Sequence, residues 1–222
     1  MTLLGVDTST SAASACVLRA DGEWFEVMPA PERLREPPAH ASELMPAVAH
    51  VMTRAEVGWS DLDAIAVGVG PGMFTGLRIG IATARALAAA RGLPLRPVSS
   101  LAALAAGVQG PVRLPLIDAR RGEVFGALYQ GDERVWAPFV IAPDELAGRL
   151  REDGFTPLAA GDGSIRFRQM LEEAGVEVEP DDSDAHVVRA LHVCRLGADA
   201  EDRPPETVLP DYLRDPDAKP QQ

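Results

Sequence analysis

A glycine-dense turn follows a buried strand and leads directly into a helix, and this junction constrains the fold more than any other part of the sequence. Residues 62–69 are rich in Val, Ile and Ala, which is typical of a strand buried on both faces. The turn covers residues 68–76, and a helix is predicted over 77–91 with Gly92 as its stop signal. A strand, a tight turn and a helix in this order indicate an α/β protein.

The glycine spacing in this turn fits neither of the common phosphate-binding motifs. A Walker loop ends in Gly-Lys-Ser/Thr, whereas Gly76 is followed by Leu77 and Arg78. A Gly-x-Gly-x-x-Gly motif that starts at Gly68 would have Met73 at its last position. The turn therefore either binds an anion through free N–H groups or allows the strand and the helix to pack closely.

Hydrophobic periodicity and turn signals divide the rest of the chain into strands and helices. Three strands at the start form a predicted antiparallel meander with a hairpin at Asp21-Gly22, followed by a Pro-rich loop over residues 29–38. A helix is predicted with Ser42 as N-cap, Pro46 in its first turn and Gly58 as its stop. The other predicted strands cover residues 3–6, 14–19, 23–28, 93–98, 114–117, 123–129 and 157–160. The other predicted helices cover residues 99–106, 143–150, 166–174 and 184–196, and an extended tail starts at residue 201.

The two halves of the chain show a weak internal repeat. One strand ends at Asp7 and another ends at Asp118, half the chain later. A strand also enters a glycine-containing turn before a helix at both Gly68 and Gly161. The pattern predicts two α/β subdomains of similar plan around a cleft, and a doubly wound Rossmann domain is the alternative.

A strip of small residues runs along the predicted helix 77–91. Gly76, Gly80, Ala84 and Ala88 are four positions apart, so they share one face that another helix can approach closely. Each glycine costs about 1 kcal/mol of helix propensity relative to alanine, and packing has to offset that cost. The helix after Ser42 also has apolar residues on more than one side. A helix–helix interface and ordinary core packing both explain this surplus of apolar surface.

Charge and composition exclude several classes of protein. The formal net charge of −12 disfavours a generic basic nucleic-acid binder, although −9 of it lies in residues 172–222. Lys219 is the only lysine, so the sequence has no phosphate-loop lysine. Cys16 and Cys194 are expected to be free buried thiols, which fits a reducing cytoplasm. No leader peptide and no membrane-spanning run are expected.

The polar residues offer little recognisable catalytic or metal chemistry. No two of the four histidines have the i, i+4 spacing of a helical metal-binding pair, and no Gly-x-Ser-x-Gly elbow occurs. Asp7 is followed by four hydroxyl residues, which suits either a magnesium- or phosphate-contacting turn or an ordinary Asx or Ser/Thr turn. Arg120 and Arg121 form the one basic pair on a turn, where they contact RNA, a partner's carboxylate or only solvent. His40 and His50 are expected at a helix edge.

Several segments together resemble the TsaB family, also called YeaZ. The longest match is the strand, glycine turn and helix start over residues 62–80. Shorter matches cover residues 5–10, 40–46, 97–101, 117–124 and 210–214. The matches span most of residues 1–124 and are sparse over residues 125–208.

The resemblance implies an actin-like α/β fold of the kind shared by sugar kinases and heat-shock chaperone ATPases. Such a fold has duplicated subdomains, here predicted at residues 1–108 and 109–222, the second reduced. The family is the bacterial subunit that helps to form threonylcarbamoyladenosine in tRNA. The implied role is a cytoplasmic, non-catalytic scaffold that pairs with a catalytic paralogue of the TsaD type.

Further partners and sites follow from the same resemblance. A small TsaE-type ATPase subunit is expected as a second partner, tRNA is reached through the complex, and the chain alone is expected to form a homodimer. The implied partner surface is formed by the two apolar helices, one after Ser42 and one after Gly76. Two helices from each subunit would pack as a four-helix bundle. The predicted interface residues are Leu44, Met45, Val48, Met52, Gly76, Leu77, Gly80, Ile81, Ala84 and Ala88.

The resemblance also implies a nucleotide site that has lost most of its chemistry. Ser9 replaces the glycine that usually follows two residues after the aspartate of an actin-like phosphate turn. No catalytic residue, metal or cofactor is expected, apart from weak ATP or ADP binding at the partner interface. An actin-like ATPase or a glycoprotease-like peptidase acting alone is the alternative. The residues of the vestigial nucleotide loop are Asp7, Thr8, Ser9, Gly70, Gly72, Thr75, Asp118, Gly161 and Gly163.

Overall fold

Residues 1–214, which the computed structural model describes, form two five-stranded mixed sheets. The strands of the first sheet are β1 (Leu3–Asp7), β2 (Ser14–Leu18), β3 (Trp24–Val27), β4 (Ala64–Gly70) and β5 (Leu95–Ser99). Those of the second sheet are β6 (Val112–Arg120), β7 (Glu123–Gln130), β8 (Glu133–Ile141), β9 (Leu158–Ala160) and β10 (Glu177–Val178). The chain is therefore an α/β protein with two sheets, and the single parallel sheet of the Rossmann alternative is wrong.

The two sheets share one strand order and one set of strand directions. The order β3-β2-β1-β4-β5 in the first sheet corresponds to β8-β7-β6-β9-β10 in the second. In each, the first three strands form an antiparallel meander, and the last two extend the sheet in parallel beside the first strand. Asp7 in β1 and Asp118 in β6 consequently lie on corresponding strands.

Helices cover the outer faces of both sheets and fill the space between them. On the first sheet, alternation along β1 sends Leu4 and Val6 toward α1 and α2, while Leu3 packs against α7 on the other face. A continuous core of β4, β5, α3, β6 and β7 residues joins the two sheets. Helices α4 and α6 cover the far face of the second sheet. The helices are α1 (His40–Arg54), α2 (Phe74–Arg91), α3 (Ser100–Ala106), α4 (Pro143–Asp153), α5 (Asp162–Arg166), α6 (Arg168–Glu173) and α7 (Ala190–Ala198).

Several sequence-based boundaries differ from the structure. Helix α1 starts at His40 rather than after Ser42, so Pro46 lies inside the helix and not in its first turn. The predicted loop over residues 29–38 contains a 3₁₀ helix, Pro31–Arg35. Strands β8, β10 and helix α5 were not predicted. The predicted helix 166–174 is the shorter α6, and the predicted helix 184–196 is divided into a 3₁₀ turn, Asp184–His186, and α7. By contrast, the hairpin meander and the end of α2 at Gly92 are confirmed. Gly92 is left-handed, and the Ser99 side chain caps α3.

The C-terminal part of the chain returns to the first sheet. Helix α7 packs against β1 and β2, and Arg203 forms an antiparallel bridge with Leu95 of β5. The predicted boundary between residues 108 and 109 separates the two sheets. It assigns α7 to the second half, although α7 packs on the first sheet. Cys16 and Cys194 are both buried and free, as predicted. No helix among residues 1–214 is long and apolar enough to cross a bilayer.

Candidate functional site

Asp7 ends β1 in a fully buried hydrogen-bonded turn. Its Oδ1 accepts hydrogen bonds from the backbone N–H (2.8 Å) and the hydroxyl (2.7 Å) of Ser9, and its Oδ2 accepts one from the Ser100 hydroxyl at 2.9 Å. Gly68 lies against this carboxylate so closely that a Cβ there would be 1.8 Å from Oδ2. Burial raises the pKa of Asp7 from 3.8 to about 6, although the three hydrogen bonds oppose this shift.

The raised pKa of Asp7 makes a pH dependence of stability testable. Between about pH 4 and pH 6 the folded protein holds a proton that the unfolded chain has lost, so this group's contribution to stability falls as pH rises. Asp7→Asn does not ionise. The difference in free energy of unfolding, variant minus wild type, should therefore be larger at pH 8 than at pH 4. The increase should be roughly 2–3 kcal/mol. Urea unfolding at both pH values measures this, and an equal difference at the two values would refute it.

The predicted nucleotide-loop residues of the first half meet, but they pack on one another. The Met73 N–H donates to the Ser9 carbonyl (2.7 Å), and the Thr8 hydroxyl donates to the Gly76 carbonyl (2.8 Å). A Cβ on Gly72 would lie 2.4 Å from the Ser9 carbonyl oxygen. The residues from Asp7 to Ser11 are at most 2% exposed. Contacts within the chain thus fill this turn, while Thr75 is exposed on the first turn of α2.

The corresponding turn in the second half borders an open cleft of about 410 Å³. There Asp118 accepts a hydrogen bond from Arg166 at 2.7 Å, and its backbone N–H donates to Asp162 at 3.0 Å. Burial raises the pKa of Asp162 to about 6. Gly161 and Gly163 serve packing, because a Cβ on either would lie within about 3 Å of the β6 backbone. The cleft is lined by Leu34, Arg35, Glu36, Asp118, Arg120, Asp162, Ile165 and Arg166.

A buried serine–histidine pair in the second half is structural. The Ser164 hydroxyl lies 3.4 Å from Nδ1 of His186, but it donates to the Gly161 carbonyl at 2.8 Å. Both residues are fully buried, and the other ring nitrogen of His186 faces backbone carbonyls. His40 is likewise buried, with Nε2 2.6 Å from the Thr10 carbonyl oxygen. Within residues 1–214 no three His, Cys, Asp or Glu side chains converge as a metal site.

The predicted partner surface needs a correction. Of its ten residues, only Met45 is exposed. The strip on α2 packs against the β1–β2 turn of its own chain: a Cβ on Gly76 would lie 2.1 Å from the Thr8 carbonyl oxygen, and one on Gly80 would lie 2.1 Å from Thr8 Oγ1. The glycines therefore let α2 approach this turn. The nine residues that belong to the core are Leu44, Val48, Met52, Gly76, Leu77, Gly80, Ile81, Ala84 and Ala88.

The opposite side of α1 and α2 forms a second strip of small and apolar residues, of which the predicted partner surface included only Met45. Helices α1 and α2 contact each other, and Ala41 and Ile79 line the same shallow groove between them. The sequence does carry a signal for this strip, because small and apolar residues recur three or four positions apart on the helix faces that the glycines do not occupy. We call this surface the outer helix face; its residues are Ala41, Met45, Ala49, Ile79, Ala82 and Ala86, all exposed or partly exposed.

The C-terminal segment docks on the glycine turn and bridges both halves. The Asp211 N–H donates to the Val69 carbonyl at 2.8 Å, and the Tyr212 ring stacks on Phe74 at 5.2 Å between centroids. Arg214 reaches the second sheet, where it donates to the Ala119 carbonyl at 2.8 Å. The pairing of Asp118 with Arg166 was not predicted from the sequence.

Comparisons with known proteins agree with this architecture. A family model described as TsaD, tRNA N6-adenosine threonylcarbamoyltransferase, matches residues 35–155. The tRNA threonylcarbamoyladenosine biosynthesis protein TsaB of Escherichia coli is 32% identical over 230 residues, covering 96% of this chain and 95% of that protein. An uncharacterized protein of Mycobacterium leprae is 39% identical over 145 residues, which are 65% of this chain but 40% of that protein. The structure of YeaZ from Pseudomonas aeruginosa superposes with a TM-score of 0.77 at 30% identity, covering 96% of this chain and 99% of that one.

The two-sheet fold and the family-model match place the chain in the class of α/β proteins related to the TsaD-type transferases. Within that class, the chain belongs to the TsaB family, also called YeaZ.

Proposed function

We propose that this chain is a non-catalytic subunit of the complex that forms N6-threonylcarbamoyladenosine in tRNA, and that it acts by binding a catalytic paralogue of the TsaD type. Membership of the TsaB family supports the pathway. The outer helix face carries the proposal of a heterodimer, because it is a paired-helix surface on which small side chains allow close approach by two further helices.

Three features of the site support a role without bond-making. The Asp7 turn is filled by contacts within the chain, Asp118 is engaged by arginines, and Ser164 and His186 are buried and hydrogen-bonded to the backbone. None of these groups is arranged as an exposed nucleophile with a free base. The ATPase and peptidase alternatives gain no support from this geometry.

The same proposal includes duplicated subdomains, a second partner subunit, a homodimer and weak nucleotide binding. The shared strand order of the two sheets supports a duplicated, actin-like ancestry, with the second subdomain reduced. A TsaE-type ATPase would complete a cytoplasmic complex. Without the paralogue, the outer helix face would pair with a second copy of this chain. Weak ATP or ADP binding is assigned to the junction with the paralogue and not to this chain alone.

Complex formation tests the proposal. When the chain is mixed at about 10 μM with the TsaD-type paralogue of the same organism, size-exclusion chromatography with light scattering should show a heteromer. Two separate species at this concentration would contradict the proposal. Interfaces of this kind bind at micromolar affinity or tighter, so the concentration is sufficient for a stable complex to be seen.

A further inference from the structure

Helix α2 starts without the side chains that usually stabilise a helix N-terminus. Its N-cap residue is Met73, whose thioether is only a weak hydrogen-bond acceptor, and the sequence of its first turn, residues 74–77, contains no carboxylate. Gly76 and Gly80 also lower the helix propensity of the first two turns. The local sequence therefore supports this end of the helix poorly, and we expect it to fray unless other parts of the chain hold it.

The C-terminal segment makes such contacts from outside the helix. The Tyr212 ring stacks on Phe74, with 5.2 Å between the ring centroids, and the Tyr212 hydroxyl accepts a hydrogen bond from Nε of Arg78 at 3.1 Å. The Arg78 guanidinium in turn lies 3.9 Å from the centre of the Phe74 ring. Phe74 and Arg78 are one helical turn apart, so Tyr212 contacts both ends of the first turn of α2.

The backbone of the same segment packs on the turn that precedes α2. The Asp211 N–H donates to the Val69 carbonyl at 2.8 Å, and a Cβ on Gly70 would lie 3.0 Å from the Asp211 carbonyl oxygen. These contacts place the segment directly against the end of β4. The segment therefore holds both the turn that enters α2 and the first turn of the helix itself.

The other end of the segment is anchored on the second half of the chain. Arg214 donates to the Ala119 carbonyl at 2.8 Å and forms an ion pair with Glu123 at the start of β7. Leu213 packs against the core that joins the two sheets. Residues 211–214, which we call the C-terminal strap, therefore connect the start of α2 with the second sheet.

The start of α2 also borders the surface that is assigned above to the protein partner. Met73, Thr75 and Ile79 line the groove of about 230 Å³ between α1 and α2, and Ile79 belongs to the outer helix face. Fraying of the first turn would displace these side chains. We propose that the C-terminal strap holds the start of α2 in the conformation that the paralogue binds, with Tyr212 as the positioning residue. This rests on the proposed function, because it concerns the same docking surface.

Hydrogen exchange of the isolated chain tests the strap. The Leu77 N–H donates to the Met73 carbonyl at 2.9 Å, so the amides of residues 77–80 report on the first turns of α2. Tyr212→Ala should make these amides exchange about tenfold faster and leave the amides of α7 at their wild-type rates. Arg214→Ala should also increase exchange at residues 77–80, because it removes the anchor of the strap on the second half.

Two further variants separate stacking from a general effect of substitution in this segment. Tyr212→Phe keeps the ring on Phe74 and loses only the hydroxyl, so it should restore most of the protection of residues 77–80. Leu209→Ala is the matched control, because the Leu209 side chain is 66% exposed and lies just before the strap. Its exchange rates should equal those of the wild type.

Affinity for the TsaD-type paralogue tests the positioning role. Tyr212→Ala should weaken the heteromer about fivefold in isothermal titration calorimetry, because part of the population has to re-form the start of α2 before it binds. Tyr212→Phe and Leu209→Ala should bind as the wild type does.

The readouts separate this inference from the proposed function. Wild-type exchange at residues 77–80 in Tyr212→Ala would overturn the role of the strap, and so would equally faster exchange in α7, since a loss of overall stability would then explain the effect. Unchanged affinity despite a frayed α2 start would refute the positioning role while the scaffold role stands. Failure of the wild-type chain to form the heteromer would instead contradict the proposed function.

Discussion

Gly76→Ala is expected to lower the melting temperature of the protein by about 10 °C. The added methyl would lie 2.1 Å from the Thr8 carbonyl oxygen and 2.9 Å from Cε1 of His40. The first obstacle is backbone inside a buried turn, so α2 has to move away from the β1–β2 turn. Overpacking of this kind costs about 3 kcal/mol, which corresponds to roughly 6–12 °C for a chain of this size.

Gly148→Ala is the matched control, because it makes the same change inside another helix. A Cβ on Gly148 of α4 meets nothing within 4 Å, and alanine has the higher helix propensity. This variant should therefore gain about 0.5–1 kcal/mol. Differential scanning calorimetry of both variants measures the contrast. If Gly76→Ala has the same melting temperature as the wild type, the small-residue strip is not packed against the chain's own core.

Ala82→Arg should abolish the heteromer with the TsaD-type paralogue and leave the melting temperature of the isolated chain nearly unchanged. Ala82 is exposed at the centre of the outer helix face on α2. A long charged side chain there would hold two packing helices apart and would lose solvation in the interface. We expect an affinity loss of at least about 100-fold, which isothermal titration calorimetry can measure.

Ala198→Arg controls for the charge and size of this substitution. Ala198 is exposed at the end of α7, on the opposite side of the first sheet from α1 and α2. The control should bind the paralogue with wild-type affinity. If Ala82→Arg binds equally well, the outer helix face is not the docking surface.

The local elements were predictable where one short-range rule decides them. Asp21-Gly22 sets a hairpin, Ser99 caps α3, and Gly92 ends α2, because each effect depends on a few neighbouring residues. Strand β8 was missed because its mostly exposed, charged start hides the alternation typical of a strand. Helix α1 starts before its apparent cap because packing of His40 against the Thr10 carbonyl outweighs the preference for a serine cap.

The candidate site was harder to predict, because the sequence shows which residues share a helix face but not what that face touches. The spacing of Gly76, Gly80, Ala84 and Ala88 correctly identified a close-packed strip, yet its neighbour is the turn after β1. That contact joins residues about 70 positions apart in the chain. The same limit applies to the C-terminal segment, which contacts both α2 and the β6–β7 hairpin. Only the folded chain brings these three segments together.

Formation of N6-threonylcarbamoyladenosine in an unmodified tRNA transcript tests the central claim most directly. The reaction contains the threonylcarbamoyl adenylate as donor, the TsaD-type paralogue, and the TsaE-type ATPase with ATP. It is run with or without this chain, and the modified nucleoside is quantified by mass spectrometry. The scaffold role predicts modification with this chain present, little or none without it, and a matching loss with Ala82→Arg. Full modification in the absence of this chain would contradict that role.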